Sequence, residues 1–405
     1  MRTPIEKPEL LAPAGNFEKL EIALHYGADA VYLAGKQFSL RNFSGNFSDD
    51  QLFDAVAYTH DRGKKVYLAC NVYFRNDEEK ALAEYLDLIG RIRPDAVILS
   101  DPGAIALAGQ IIPDIDIHLS TQANTTHAAA ARFWHALGIK RVNLARELSL
   151  EEIRQVSQGP VPTEVFVHGA MCISYSGRCL LSSFLTNRDA NRGQCSHPCR
   201  WKYQVIEEQR PDLRHPVEED EQGSYIFNSK DLCMIRHIPE LMTAGIASFK
   251  IEGRMKGINY LASVVKTYRE AIDRYALDPV NYQPDPVWED ELSQIFHRDY
   301  CTGFFFGHPD EQCPNYKNRH RGKIHSFIGK ITGHTPEGRP LIQIRNRLQP
   351  GDRIEVISPG RPPATDTVAD LVHSDGHSIK KADPNTTVSV GINLTCDLND
   401  IVRKK

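Results

Sequence analysis

Residues 9–275 repeat one unit: a short, almost wholly apolar run, a turn, and then an amphipathic stretch. Strands buried on both faces must be apolar nearly throughout, as in parallel sheets covered by helical crossovers. The pattern predicts eight such strands: Glu9–Ala12, Ala30–Ala34, Val66–Cys70, Ala96–Ser100, Ile117–Ser120, Arg141–Ala145, Glu164–Val167 and Ser248–Ile251. Eight strands with helical crossovers favour a TIM-like (β/α)8 barrel, with an open doubly wound sheet as the alternative because a sequence does not show closure.

The domain organisation follows from where this repeat is interrupted and where it ends. We predict a barrel domain over 1–275, with a long insertion after strand seven at about 168–247, where a connection of about 2–6 residues is usual. In a barrel this insertion lies at the C-terminal mouth, where such enzymes keep their chemistry. Residues 276–321, rich in proline, aromatic and charged residues, are predicted to be a connector. Short strands separated by turns predict a small all-β barrel over 322–405.

Four of the nine cysteines lie close together within the insertion, at Cys172, Cys179, Cys195 and Cys199. Thiolates gathered in one place hold a soft metal centre or form disulfides. Four of them satisfy an iron–sulfur cluster or a structural zinc, and the spacing favours the cluster only slightly. Buried cysteines acting as small hydrophobes are a third interpretation, which the turn-prone surroundings disfavour. Cys233 is an alternative fourth ligand.

Charge and hydropathy exclude several classes of protein. The sequence has no run of about 18 apolar residues, and its first residues lack the apolar core of a signal peptide. We therefore expect a cytoplasmic protein without a membrane span, in which thiols stay available for metals. The net charge of −4 argues against a globally basic nucleic-acid binder but permits a local basic patch.

Polar residues after the predicted strands are candidates for substrate binding at the mouth. Ser120 and Gln122 follow strand five and suit hydrogen bonding to the edge of a base, although turn capping explains them almost as well. Arg41 follows strand two and Arg146 ends strand six. Both could hold a carboxylate or a phosphate through bidentate contacts.

A second group of residues is predicted to be catalytic. Lys250, Glu252 and Arg254 end strand eight, and charges at the mouth of a buried strand need partners or a ligand. We favour a role in the site over an internal ion pair. His168 could shuttle protons, with a structural histidine as the equal alternative. Arg178 adjoins the second cysteine and could hold an anion, or lie solvated at the surface.

Positive charge is concentrated beside the cysteines, and Trp201 could stack on a base there. The charged residues are Arg188, Arg192, Arg200 and Lys202, with Tyr203 as a further stacking candidate. Residues 316–323 form a second basic run. RNA contact by these runs is one hypothesis, and plain solvated surface is the other.

Several motifs along the chain resemble those of one known family. They are PELLAPAG at 8–15, EVFVHGAMCISYSGRCLLS at 164–182, NRGQCSHPCRW at 191–201 and KIEGRMK at 250–256. The first and last lie at predicted barrel strands, and the other two span the cysteines. Together they resemble the signature of the U32 peptidase family, the collagenase-like proteases, over nearly the whole chain.

The resemblance implies hydroxylation without molecular oxygen, despite the family name. It is closest to the branch that makes 5-hydroxyuridine at the wobble position of tRNA with prephenate as a possible oxygen donor. Relatives acting on ubiquinone precursors bind [4Fe-4S] clusters through cysteines. The resemblance therefore implies such a cluster rather than zinc, held by Cys172, Cys179, Cys195 and Cys199. It implies tRNA and a small-molecule co-substrate as partners, and leaves a partner subunit open.

Two other functions compete with this prediction. A protease is suggested by the family name, yet the sequence has no His-Glu-x-x-His motif and no Gly-x-Ser-x-Gly elbow. A cysteine protease would need one activated thiol rather than four together. A non-catalytic RNA-binding factor with structural zinc is the other alternative.

Overall fold

A computed structural model describes residues 6–40, 45–172, 174–201, 218–220, 223–225, 230–307, 326–373 and 375–405. Up to residue 307 its strands are β1 (Glu9–Pro13), β2 (Ala30–Leu33), β3 (Lys65–Ala69), β4 (Ala96–Leu99), β5 (Asp116–Leu119), β6 (Arg141–Asn143), β7 (Thr163–Ala170), β8 (Glu218–Asp220), β9 (Gly223–Tyr225), β10 (Asp231–Cys233), β11 (Ser248–Ile251) and β12 (Tyr300–Cys301). Strands β1 to β7 pair in parallel in chain order, and β11 pairs in parallel with both β1 and β7. The ring is closed, which confirms the (β/α)8 barrel over the open sheet.

Helices connect these strands and cover the barrel. They are α1 (Phe17–His25), α2 (Asp49–His60), α3 (Glu79–Ile92), α4 (Pro102–Ile111), α5 (Ala128–Ala136), α6 (Leu150–Ser157), α7 (Leu181–Thr186), α8 (Ile238–Thr243), α9 (Ile258–Leu277) and α10 (Pro286–Ser293). Side-chain caps begin several of them, as where Ser48 and Gln51 form a capping box at α2. None of the helices in the described ranges is long and apolar enough to cross a membrane.

The insertion after β7 contributes a strand that pairs with the barrel sheet. Strand β10 pairs antiparallel with the end of β7, and β12 pairs in parallel with β10. Trp288 and Leu292 of α10 pack into the barrel core, although they lie in the segment predicted to be a connector. The domain boundaries themselves stay a prediction.

The C-terminal part of the chain is an antiparallel sheet. Its strands are β13 (Ser326–His334), β14 (Pro340–Ile344), β15 (Arg353–Ile357), β16 (Ala364–Thr367), β17 (Leu371–His373), β18 (Ser378–Ile379), β19 (Thr387–Val390) and β20 (Ile401–Lys404). They pair in the order β16-β15-β20-β13-β14-β19-β17-β18 around their own apolar core. The predicted all-β domain is confirmed, while the pairings between described strands run from end to end without closing a ring.

This sheet is fastened to the barrel by buried polar contacts. The Tyr26 hydroxyl, at the end of α1, donates to the Ile357 carbonyl at 2.6 Å and accepts from the Ile401 amide at 3.0 Å. Arg403 is fully buried and donates through two nitrogens to the Glu291 carboxylate of α10, at 2.5 and 3.1 Å. A bidentate pair of this kind fixes orientation as well as distance.

Arg403→Met should therefore destabilise the protein strongly, because it leaves the Glu291 carboxylate buried without its counter-charge. We expect a loss of about 3–5 kcal/mol in the free energy of unfolding, measured by urea titration. Arg347→Met is the matched control, because Arg347 pairs with Asp383 at the surface at 3.1 Å. The control should lose less than about 1 kcal/mol. Equal losses in the two variants would contradict a structural role for the buried pair.

Candidate functional site

A pocket of about 450 Å³, partly open to solvent, lies at the C-terminal mouth of the barrel. The carboxyl ends of parallel barrel strands converge there, which is where such enzymes place their sites. Its lining includes six of the residues predicted from the sequence: Ser120, Gln122, Arg146, Lys250, Glu252 and Arg254. These residues lie at or just after the ends of β5, β6 and β11, and the structure brings them together in one pocket.

The floor of the pocket is a buried ion pair. The Lys250 ammonium on β11 donates to the Glu164 carboxylate on β7 at 2.7 Å, and both side chains are almost fully buried. Burial by itself would raise the pKa of Glu164, but Lys250 and Arg141 outweigh it and hold that pKa below its ordinary value. Lys250 therefore belongs both to the pocket and to an internal ion pair, which the sequence analysis had treated as alternatives.

Beneath this pair, a polar network fills the barrel interior. Arg141 lies 3.5 Å from Glu164 and 2.5 Å from Glu9, and the Tyr67 hydroxyl donates to Glu9 at 2.6 Å. The sequence analysis missed Glu9, Arg141 and Glu164 as the buried network behind Lys250. Their signal was present, since each is a charged residue at the start of an otherwise apolar strand, and such a charge must find a partner.

Arg146 lines the mouth and has no carboxylate partner among the described residues. Its Nη1 reaches only the Ala170 carbonyl, at 3.5 Å, and its Nε is buried without a hydrogen-bond partner. Its guanidinium carbon lies 4.5 Å from the centre of the Phe166 ring. A half-buried guanidinium held in this way is suited to an anionic ligand, because its donors are oriented and unsatisfied.

Amide and hydroxyl groups line the other wall. The Ser120 hydroxyl donates to the Gln122 side-chain oxygen, which Asn71 approaches through its amide nitrogen at 3.4 Å. The Asn143 side-chain oxygen is buried without a hydrogen-bond partner in the described part of the chain. The Tyr32 hydroxyl lies 3.2 Å from the Glu252 carboxylate. Donors and acceptors of this kind suit a flat ligand with a polar edge, such as a nucleobase.

His168 is not among the residues that line the pocket, and its position fits the structural histidine that was the equal alternative to a proton shuttle. The register between β7 and β11 shifts after Lys250, so that Phe166 lies opposite Lys250 but His168 lies opposite Ile251. This β-bulge turns the ring towards the helices, where it packs among Tyr260, Tyr268 and Tyr300. Burial there lowers the pKa of His168 to about 3, so the ring is neutral at ordinary pH.

Residues 171–201, the cysteine segment, lie at the edge of the mouth. Cys172 lies two residues after the end of β7, Cys179 directly precedes Leu180 and α7, and Cys195 and Cys199 lie beyond that helix. All four are free thiols. Arg178 ties the segment to the pocket, because its Nε donates to the Gln122 carbonyl at 3.0 Å. A catalytic role for Arg178 stays a prediction.

The four thiols are suitable metal ligands, but their arrangement in the described part of the chain does not form a metal site. Four thiols in one segment are the ligands that an iron–sulfur cluster or zinc requires. Within the described ranges, however, no three or more His, Cys, Asp or Glu side chains are arranged to hold a metal ion. Cys233 lies on β10 opposite His168, and burial raises the pKa of its thiol to about 12. That environment does not favour the thiolate that a metal ligand needs.

Some of the predicted residues lie outside the part of the chain that the structure describes: Arg41, Lys202, Tyr203 and the basic run at 316–323. Trp201 is described and its ring is exposed at the end of the cysteine segment.

The fold and the mouth pocket define a (β/α)8-barrel protein with a C-terminal β domain and a polar, cationic site. Residues 15–314 match the family model of peptidase family U32, and residues 323–403 match that of its C-terminal domain. The chain therefore belongs to peptidase family U32.

Three relatives show how far the similarity extends. The chain is 37% identical over 383 residues to tRNA hydroxylation protein P1 of Bacillus subtilis, covering 94% of this chain and 90% of that protein. It is 36% identical over 396 residues to tRNA hydroxylation protein P of Escherichia coli, covering 87% and 86%. A protein of Porphyromonas gingivalis named Collagenase is 33% identical over 312 residues, covering 74% and 73%.

The environment of His168 predicts how stability depends on pH. Burial lowers its pKa from 6.5 to about 3, so the unfolded chain binds this proton at a higher pH than the folded protein. Its contribution to stability is therefore complete above about pH 6.5 and is lost as the pH falls towards 3. His168→Phe keeps a ring among the tyrosines and should remove about 1 kcal/mol of the loss in unfolding free energy between pH 7 and 5.5.

The measurement is urea unfolding of both proteins at the two pH values. His118, whose pKa burial also lowers to about 3, is present in both and cancels in the comparison. The same loss in wild type and variant would show that His168 is protonated in the folded protein, against the packing described above.

Proposed function

We propose that this protein hydroxylates the wobble uridine of tRNA to 5-hydroxyuridine, with prephenate as the oxygen donor. The observation that supports it most is the similarity, over most of both chains, to proteins named for tRNA hydroxylation. Replacing the C5 hydrogen of uracil by a hydroxyl removes two electrons from the base, so the reaction needs a co-reactant that accepts them. The pocket at the mouth is the site that we assign to this chemistry.

In this proposal the two walls of the pocket take different ligands. The Arg146 guanidinium, which no described carboxylate neutralises, holds a carboxylate of the co-substrate. The amides of Asn71, Gln122 and Asn143 bind the polar edge of a uracil that has left its stack, since uracil offers both donors and acceptors. The Lys250–Glu164 pair below keeps the floor polar without adding net charge.

We further propose that Cys172, Cys179, Cys195 and Cys199 bind a [4Fe-4S] cluster. The free state of all four thiols and their position beside the mouth support it. The cluster would supply one-electron transfer when bound. Since no three potential ligands form a group in the described structure, binding requires the segment to draw its thiols together.

Arg146→Gln should impair the modification, because a hydrogen bond to a charged group contributes about 1.5–3 kcal/mol to binding, or about tenfold or more in affinity. The variant, the wild type and Arg347→Gln are expressed in a strain that lacks the native gene. Mass spectrometry of tRNA nucleosides then measures 5-hydroxyuridine, which should fall at least about tenfold for Arg146→Gln only. Undiminished 5-hydroxyuridine in the deletion strain itself would refute the proposed function.

Cys179→Ala should lose both bound iron and the modification. Anaerobically purified wild type should be brown and hold about four iron and four acid-labile sulfide per chain. Cys396→Ser is the matched control, because that thiol lies in the C-terminal sheet and donates to the Leu394 carbonyl at 3.6 Å. About one zinc and no sulfide in the wild type would instead favour the non-catalytic RNA-binding factor.

A further inference from the structure

Helix α7 in the cysteine segment has its polar and apolar faces reversed. The inward side chains are hydroxylic: Ser182 and Thr186, one turn apart, both lie 2.9 Å from the Ser196 hydroxyl. The outward side chains are apolar, and Phe184 is 91% exposed. A surface helix normally buries its apolar side, so the reversal leaves a face that the described fold does not use.

We call this surface the α7 face. It comprises the exposed large hydrophobic side chains of the segment: Leu180 (72% exposed), Phe184 (91%) and Leu185 (46%) on or beside α7, Trp201 (42%) after the turn that contacts α7, and Tyr175 (50%), which has Glu147 as a neighbour. Three of the five are aromatic. Exposed apolar side chains that are concentrated in one segment mark a place where something binds, whereas scattered ones need no explanation.

The charge of the same segment indicates which class of partner it fits. Residues 171–201 contain four arginines and one aspartate, with no lysine or glutamate, so their net charge is 4 − 1 = +3 in a chain of −4. Carboxylates of neighbouring elements offset part of this charge, since Arg192 is paired with Glu78 and Ser176 donates to Glu147, while Arg178 is exposed beside the pocket. A cationic surface with interleaved aromatic rings is typical of proteins that bind single-stranded nucleic acid.

The α7 face is also connected directly to the mouth. The Arg178 Nε and the Tyr73 hydroxyl both donate to the Gln122 carbonyl, at 3.0 and 2.9 Å, and Gln122 lines the pocket. Arg178 precedes Leu180 of the face by two residues, so the segment that carries the face adjoins the wall of the pocket. This is the arrangement that an enzyme acting on one unstacked base requires.

We infer that the α7 face docks a single-stranded loop of RNA, with bases stacked on its aromatic rings and phosphates beside its arginines. The inference rests on the proposed function for the choice of tRNA. A second copy of this chain fits less well, because five side chains are few for the roughly 800 Å² per partner of a stable interface. Such interfaces are also depleted in charge at their centre.

The test is direct binding by the purified full-length protein. Fluorescence anisotropy measures the affinity for a labelled anticodon stem–loop of a tRNA that has uridine at the wobble position. Phe184→Leu keeps an apolar side chain but removes the ring, and should weaken binding by about fivefold or more. Phe184→Trp keeps a ring and should bind like the wild type. Substitution at so exposed a position leaves the fold intact, which thermal unfolding checks.

Phe133→Leu is the matched control, because Phe133 is exposed in the last turn of α5, at the end of the barrel away from the mouth. It should bind RNA like the wild type. Equal affinity of Phe184→Leu and wild type, or no binding by the wild type, would overturn the inference. So would a wild-type dimer that Phe184→Leu dissociates, since a second copy would then be the occupant.

These experiments test the docking surface and the proposed function independently of each other. If the deletion strain keeps its 5-hydroxyuridine but Phe184→Leu still weakens RNA binding, the docking surface stands and the proposed function falls. If Arg146→Gln abolishes the modification while Phe184→Leu binds normally, the function stands and the docking surface falls.

Discussion

Charges buried inside the barrel must be paired, and this requirement shapes the rest of the molecule. Lys250 on β11 and Glu164 on β7 join the two strands whose pairing closes the ring. Arg141 extends the network to β6, and Glu9 extends it to β1. An unpaired member would leave an isolated charge in a medium of low polarity, so the network is destabilising unless it is complete. It favours one closed arrangement of the strands, with all partners in reach.

The same pairing determines the electrostatics of the mouth. Because Glu164 already neutralises Lys250, the lysine contributes little net charge to a ligand above it. Arg146, on the loop after β6, has no such partner among the described residues and becomes the cation that an anion meets. A prediction that only counts positive residues at strand ends does not distinguish Lys250 from Arg146. Only the pairing across the barrel separates a structural cation from a binding one.

This difference marks what the sequence could and could not predict. Apolar runs of strand length, separated by amphipathic stretches, predicted the barrel, because burial on both faces constrains every residue of a strand. Positions at strand ends then predicted Gln122, Arg146 and Lys250 in one pocket. The sequence left His168 open between a proton shuttle and a structural histidine, because the direction of its side chain depends on the bulge opposite Ile251. A bulge depends on the partner strand, which a periodicity does not contain.

The cysteine segment differs from the barrel in how it is stabilised. Its described contacts include hydrogen bonds such as those of Ser182 with Ser196 and of Cys179 with Asn191, while its large apolar side chains on and beside α7 face solvent. A segment with little buried apolar surface has low local stability, so it can rearrange without disturbing the core. Such a segment can draw thiols together around a metal and present its outer face at the same time. The proposed cluster and the proposed RNA docking both depend on the conformation of this one segment.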